Sequence, residues 1–246
     1  ELRRRRAIAA GVFGAVALVA AGIAAFQFLG PSASASPTPR AAAHAPATGI
    51  SVEARAIAAS ATVAIEHAGR PATLTVSAVG DMIFDRKVKT LISTAGGAAP
   101  LAAVAKHLSA ADVTIGNLES SLSSGGVKNA AKDVTFRGDP RGIEGLTSAG
   151  FDLLSMANNH VLDYGADALA DTVAALDAKG ISHAGAGANR DAAWKPAVVE
   201  REGATVAYLA FSHILPAGFI ATSSKAGFAQ GRNNMEAVTA AIRSAK

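Results

Sequence analysis

The sequence predicts an α/β fold that is built on a mostly parallel sheet. Short segments rich in apolar or β-branched residues, typical of strands, alternate with segments whose apolar residues recur at helical spacing. The clearest pair is the apolar run at 150–154 followed by residues 166–179, in which Leu169, Val173 and Leu176 repeat on one face. Because such alternation places successive strands side by side in one sheet, we expect a parallel sheet flanked by helices.

Each remaining element has its own local signal. Residues 72–80 and 112–116 predict the first two strands, and the apolar spacing of 100–108 predicts the helix between them. Residues 52–67 fit either a weak helix or an extended lead-in, and the Gly-, Ser- and Ala-rich residues 120–132 predict a mobile loop. The other predicted elements are a short strand and turn at 134–140, helices at 141–149 and 235–246, a strand at 180–183, a turn at 185–189, and a hairpin of 195–201 with 204–211.

The composition limits both the size and the chemistry of the protein. A chain of 246 residues that is 50% apolar can bury a sizeable core. The absence of Cys excludes disulfides and thiolate ligands, so any bound metal would be held by oxygen and nitrogen. The formal charge of +4 is concentrated in the arginines at 3–6. No basic stripe with interleaved aromatic residues occurs, which argues against nucleic-acid binding.

The amino-terminal segment predicts a membrane anchor. Residues 7–29 carry no charge, and as a helix they are long enough to cross the hydrocarbon core of about 30 Å. The preceding arginines would keep a stub of residues 1–6 in the cytoplasm and place the rest of a single-pass protein outside. A cleaved signal peptide, with 33–35 as its small-residue site, is the alternative and would give a secreted protein. Residues 30–72 then form a linker and lead-in, and residues 73–246 form the folded domain.

Polar side chains follow three of the predicted strands, at their carboxyl ends. Each has a structural alternative, because Asp and Asn also cap helices and form turns. Parallel sheets bind their ligands at this edge, however, so together these residues predict one site. They are Asp81 after the first strand, Asn117 with Glu119 after the second, and Asn158, Asn159, His160 with Asp163 after the strand at 150–154.

These side chains predict a metal site. Carboxylate, amide and imidazole donors suit a divalent cation such as Mn, Mg, Fe or Zn. Two such ions a few ångströms apart would activate a water molecule and stabilise a phosphoryl transition state.

Three motifs carry a family resemblance: Gly80-Asp-Met82, Gly116-Asn-Leu-Glu119 and the Asn-Asn-His-x-x-Asp-x-Gly block at 158–165. They resemble motifs of the bacterial capsule-synthesis family, also described as CapA-type or poly-γ-glutamate biosynthesis proteins, and the resemblance covers residues 73–246. It implies a layered sheet similar to that of calcineurin-like metallophosphoesterases. It also implies an externally facing, membrane-anchored protein that acts in surface-polymer synthesis or export, with polymer synthase subunits as partners.

The resemblance further implies roles for individual residues. Asp81, Glu119 and Asn159 would be metal ligands. His160 would be the phosphate-facing or acid–base residue, and Asp163 would orient its imidazole through a hydrogen bond. We assign the two remaining side chains of the set to substrate binding, namely Asn117 and Asn158.

The chain departs from the family pattern in two places. Met82 and Ile83 follow Asp81, where the phosphoesterase pattern has a histidine two residues on. The family pattern also has histidines in the later part of the domain, whereas residues 214–246 contain none. We therefore expect the carboxy-terminal part of the domain to be missing. The leading hypothesis is a membrane-anchored, extracytoplasmic CapA-like protein of surface-polymer synthesis or export with a metallophosphatase-like domain. If this domain is catalytic, we expect metal-dependent hydrolysis of a phosphoester. The alternative is a non-catalytic scaffold that keeps the fold without the metals and binds polymer or synthase subunits, since fold alone does not decide between them.

Overall fold

The elements follow one another closely along the folded domain. The computed structural model describes residues 52–55, 59–67 and 70–245. In chain order the elements are β1 (Val52–Arg55), β2 (Ala59–His67), β3 (Arg70–Met82), α1 (Arg86–Ala95), α2 (Ala102–Leu108), β4 (Val113–Leu118), β5 (Ser121–Leu122), β6 (Arg137–Gly138), α3 (Gly142–Ser148), β7 (Leu153–Ser155), α4 (Gly165–Ala178), β8 (Ser182–Ala184), β9 (Ala186–Gly187), α5 (Arg190–Trp194), β10 (Ala197–Arg201), β11 (Ala204–Tyr208), β12 (Gly227–Phe228) and α6 (Met235–Ser244).

A six-stranded sheet in the order β1-β2-β3-β4-β7-β8 forms the centre of the domain. Strands β3, β4, β7 and β8 are parallel to one another, which confirms the predicted parallel sheet. The strands β1 and β2 extend it on one side by antiparallel pairing, with Ala59 opposite Ala78 and His67 opposite Arg70. In residues 52–55 and 59–67 the extended alternative is therefore the one that the chain adopts.

Burial on both faces explains why the central strand is so apolar. Residues Val113, Thr114, Ile115 and Gly116 of β4 are all buried, as is usual for a parallel strand covered by helices. The helix α4 buries Leu169 and Leu176 in this core, so the predicted amphipathic helix is confirmed. Its third apolar residue, Val173, packs against the core but is only partly buried.

The hairpin of β10 and β11 also forms as predicted. Arg201 pairs with Ala204, and the two-residue turn between them has positive φ at Glu202 (50°) and Gly203 (77°). Two successive positive φ angles are characteristic of the type I′ turn, whose twist matches that of the flanking strands.

Several elements differ from the expectations. The helix α1 was not predicted, although Val88, Leu91, Ile92 and Ala95 recur at helical spacing; of these, only Ile92 is buried. The predicted turn at 185–189 contains β9, which pairs antiparallel with β12. The predicted strand at 134–140 is reduced to the two residues of β6, which pair with β5.

The membrane prediction falls on another part of the chain. Among the residues that the structure describes, none of the helices combines the length and apolar character needed to cross a bilayer. The predicted anchor at 7–29, the stub at 1–6 and the linker up to residue 51 lie outside the described residues.

Candidate functional site

The three groups of polar residues meet at the carboxyl edge of the sheet. Asp81 of β3 pairs with Asn117 of β4, and Asn117 pairs in turn with Ser155 at the end of β7. A register shift in β3 between Ala78 and Asp81 precedes the first of these pairs. The parallel register therefore brings together the strand ends that the sequence predicted to form one site.

A chain of side-chain amides connects the three strand ends. The Nδ2 of Asn117 donates to Oδ1 of Asp81 at 2.8 Å, and Nδ2 of Asn158 donates to Oδ1 of Asn117 at 3.1 Å. Asn158 also donates to the carbonyl oxygen of Leu118 and accepts the backbone N–H of His160 at 3.1 Å. The oxygen and the nitrogen of the buried Asn158 amide are therefore both hydrogen-bonded within the protein. These hydrogen bonds position Asn117 and His160.

His160 and Asp163 form a buried hydrogen-bonded pair. Nδ1 of His160 lies 2.6 Å from Oδ2 of Asp163, and the Asp163 side chain has no exposed surface. The same Oδ2 accepts the backbone N–H of Phe136 at 2.8 Å, and the Phe136 ring lies 4.3 Å from the imidazole, centroid to centroid. Because a carboxylate can only accept, Nδ1 carries the proton and Nε2 is the nitrogen left for a ligand or a proton transfer.

Lys132 belongs to this site, although the sequence placed it in a mobile loop. Its Nζ donates to Oδ1 of Asp163 and to the carbonyl oxygen of Asn159, both at 2.5 Å, and lies 3.4 Å from Nδ1 of His160. It also lies 5.1 Å from the centre of the Phe219 ring. The loop is thus anchored to the site. No local pattern marks Lys132; the only available signal is that a buried carboxylate requires a cationic partner.

Asp81 and Glu119 form a pair of carboxylates beside the hydrogen-bonded amides of Asn117 and Asn158. Burial, followed by the charge of Asp81 and a side-chain hydrogen bond with it, raises the pKa of Glu119 to about 7. Asp163 contributes to the same increase, whereas Lys132 opposes it. Two carboxylates that compete for one proton favour a cation between them.

The donors fit one hard divalent cation better than two. Asp81 and Glu119 supply carboxylates, and the neighbouring side-chain amides supply oxygen. Asp163 is already shared by Lys132, His160 and a backbone N–H. In the described part of the chain, no three Asp, Glu or His side chains converge as a metal-binding group. The predicted ligand role of Asn159 stays a prediction.

Fold and site together define a class: an α/β domain with a carboxylate, amide and imidazole site at the carboxyl edge of its parallel strands. Residues 75–246 match the family described as bacterial capsule synthesis protein PGA_cap. The chain belongs to this family, as its motifs indicated, and the family is consistent with a relation to metallophosphoesterases.

Curated relatives agree with this assignment. The chain is 31% identical to the capsule biosynthesis protein CapA of Bacillus anthracis over 157 residues, which cover 63% of this chain and 38% of that protein. It is 28% identical over 156 residues to the PGA biosynthesis protein CapA of Bacillus subtilis, covering 63% and 41%. A probable polyglutamine synthesis accessory protein of Mycobacterium tuberculosis is 41% identical over 90 residues, covering 37% and 24%. The matched region thus spans less than half of each relative.

Proposed function

We propose that this protein acts outside the cytoplasm in the synthesis or export of an anionic surface polymer, either capsule or poly-γ-glutamate, and that its domain hydrolyses a phosphoester. Family membership and the names of the two Bacillus relatives support the role in polymer synthesis. The uncharged residues 7–29, preceded by four arginines, support a single-pass membrane anchor or a cleaved signal. Polymer synthase subunits are the proposed partners.

The observation that carries the hydrolase proposal is the His160–Asp163 pair, placed at the same sheet edge as Asp81 and Glu119. Asp163 fixes the imidazole with its proton on Nδ1, so that Nε2 is available to take a proton from, or return one to, a reacting oxygen. Asn117 and Asn158 hold the strand ends at which a substrate would bind. A divalent cation held by Asp81, Glu119 and Asn159 would supply charge stabilisation for a phosphoryl group.

Metal content and hydrolysis test this proposal together. The 246-residue chain is purified, incubated with Mn²⁺ and washed. Bound metal is measured by elemental analysis, and hydrolysis is measured with bis-p-nitrophenyl phosphate as the substrate. We expect His160→Ala to retain metal and to lose about 100-fold or more of the rate, the usual contribution of a positioned acid or base. We expect Asp81→Ala to lose metal. A folded wild-type protein that hydrolyses nothing, with or without Mn²⁺, would contradict the hydrolase proposal.

A non-catalytic scaffold is the second candidate, and one observation favours it. In the part of the chain that the structure describes, no group of three Asp, Glu or His side chains gathers around a common point. A scaffold would bind the polymer or the synthase through the same sheet edge without turnover. Polymer binding without metal or hydrolysis, unchanged by His160→Ala, is the result that distinguishes it from the enzyme.

A further inference from the structure

A cationic side chain that has no oxygen partner among the described residues lies beside the candidate site. Arg86 is exposed at the start of α1, and its guanidinium carbon lies 5.0 Å from the centre of the Phe136 ring. The same ring contacts the imidazole of His160. Phe136 therefore connects the guanidinium to the residue proposed to transfer protons.

The backbone places this arginine in an unusual way. Arg86 has φ 54°, in the left-handed region that residues other than glycine rarely occupy. Asp85 stabilises this conformation, because its Oδ1 accepts the backbone N–H of Arg86 at 2.7 Å and its Oδ2 accepts that of Arg137 at 2.9 Å. The carboxylate of Asp85 is thus used by the backbone, and it forms no ion pair with the Arg86 guanidinium.

Three nearby cations, Arg137, Lys89 and Lys132, have oxygen partners. Arg137 donates to the carbonyl oxygens of Ser124 and Gly125, and Lys89 donates to the carbonyl oxygen of Arg137. Lys132 is paired with Asp163. Among the described residues, Arg86 forms no side-chain hydrogen bond or ion pair, and its only side-chain contact of this kind is the cation–π contact with Phe136. That contact leaves its N–H donors free.

We propose that Arg86 is the anion-binding residue of the candidate site and that it holds an oxyanion of the ligand, a carboxylate or a phosphate, next to His160. The inference rests on the proposed function, because it takes the edge around Asp81 and His160 as the ligand site. A guanidinium presents a planar set of donors that matches both kinds of oxyanion.

Direct binding tests the proposal with two probes, a γ-linked glutamate decamer and phenyl phosphate, by titration calorimetry on the complete chain in the presence of Mn²⁺. We expect Arg86→Met to weaken binding of at least one probe by about 10- to 100-fold, the range of a charge-assisted hydrogen bond. Arg86→Lys should weaken it less. If Arg86→Met weakens binding of the decamer alone, the bound oxyanion is a carboxylate. If it weakens binding of phenyl phosphate alone, the bound oxyanion is a phosphate. Arg243→Met, on α6, is the matched control and should bind as the wild type.

Arg86→Gly separates binding from folding. Glycine adopts φ 54° without strain, so this variant should melt at or above the wild-type temperature and still lose the affinity. Equal affinities of wild type, Arg86→Met and Arg86→Gly would overturn the inference and leave the proposed function intact. A wild-type protein that binds neither probe would also overturn it; metal content and hydrolysis, measured on the same sample, then report separately whether the proposed function fails.

Discussion

Removing the ammonium of Lys132 tests whether the loop before Phe136 and the His160–Asp163 pair form one unit. The side chains of Lys132 and Asp163 are 17% and 0% exposed, so Lys132→Met leaves a buried carboxylate without its cation. Breaking a buried ion pair in this way costs about 3–5 kcal/mol. Asp163 keeps hydrogen bonds from Phe136 and His160, so we expect the lower limit, about 3 kcal/mol.

Thermal and urea unfolding, followed by circular dichroism, measure this effect. For a domain of this size, about 3 kcal/mol corresponds to a fall in Tm of about 6–12 °C. Lys132→Arg retains the charge and should lose much less. Asp163→Asn removes the charge that Lys132 balances, so the double variant Lys132→Met with Asp163→Asn should be more stable than the sum of the single effects predicts.

Additivity would refute this reasoning. If Lys132→Met costs less than about 1 kcal/mol and its effect adds to that of Asp163→Asn, the two side chains do not depend on each other. The loop would then be attached by its backbone contacts alone, such as the bond from Asn129 N–H to the Asp163 carbonyl oxygen.

Three further predictions concern single positions. Because the pKa of Glu119 is raised from 4.5 to about 7, the folded protein holds a proton that the unfolded chain releases, and the free energy of unfolding contributed by this group falls as pH rises from about 4.5 to about 7. In EDTA, the stability of Glu119→Gln should decrease less with pH than that of the wild type, and the variant should be the more stable protein above pH 7. An equal pH dependence of the melting temperature in the two proteins would contradict this. Gly116→Ala should cost about 1–3 kcal/mol in urea unfolding, because its Cβ would lie 2.7 Å from Cε of Met82, whereas Gly80→Ala, with nothing within 4 Å, should cost far less. Asn158→Ala should cost about 1–3 kcal/mol by urea unfolding, since it leaves a buried carbonyl and a backbone N–H unpaired; an unchanged midpoint would contradict it.

The sheet edge could be predicted from the sequence because its information is local. Each polar group lies at or just after the carboxyl end of its strand, and parallel strands end at the same edge, so Asp81, Asn117 and Asn158 had to approach one another. The contact between His160 and Asp163 was likewise predictable, since the two residues are three apart in one loop. The catalytic and ligand roles of these residues stay predictions.

The strand β2 and the position of Lys132 depend on contacts between residues that are far apart in the sequence. Residues 59–67 carry few large apolar side chains, and their strand is defined by its pairing with β3 over the full length of β2. The helix α1 is different, because its apolar residues Val88, Leu91, Ile92 and Ala95 recur at helical spacing after an aspartate cap, a local signal that the prediction did not use. Lys132 meets Asp163 across 31 residues of sequence, and no local pattern around Lys132 indicates that contact.

Asp163 therefore has two roles that experiments must separate. It orients His160, which belongs to the proposed chemistry, and it also accepts Lys132 and the backbone of Phe136, which attach the loop to the domain. A variant at Asp163 changes both, so lost activity in Asp163→Asn would not by itself identify a catalytic role. Among the described residues, His160 touches the loop only through the Phe136 ring and the 3.4 Å approach of Lys132 Nζ to its Nδ1, apart from its bond to Asp163. His160→Gln, if its melting temperature is unchanged, is thus the cleaner test of the proposed catalytic role. Lys132→Met is the cleaner test of how the loop is attached to the domain.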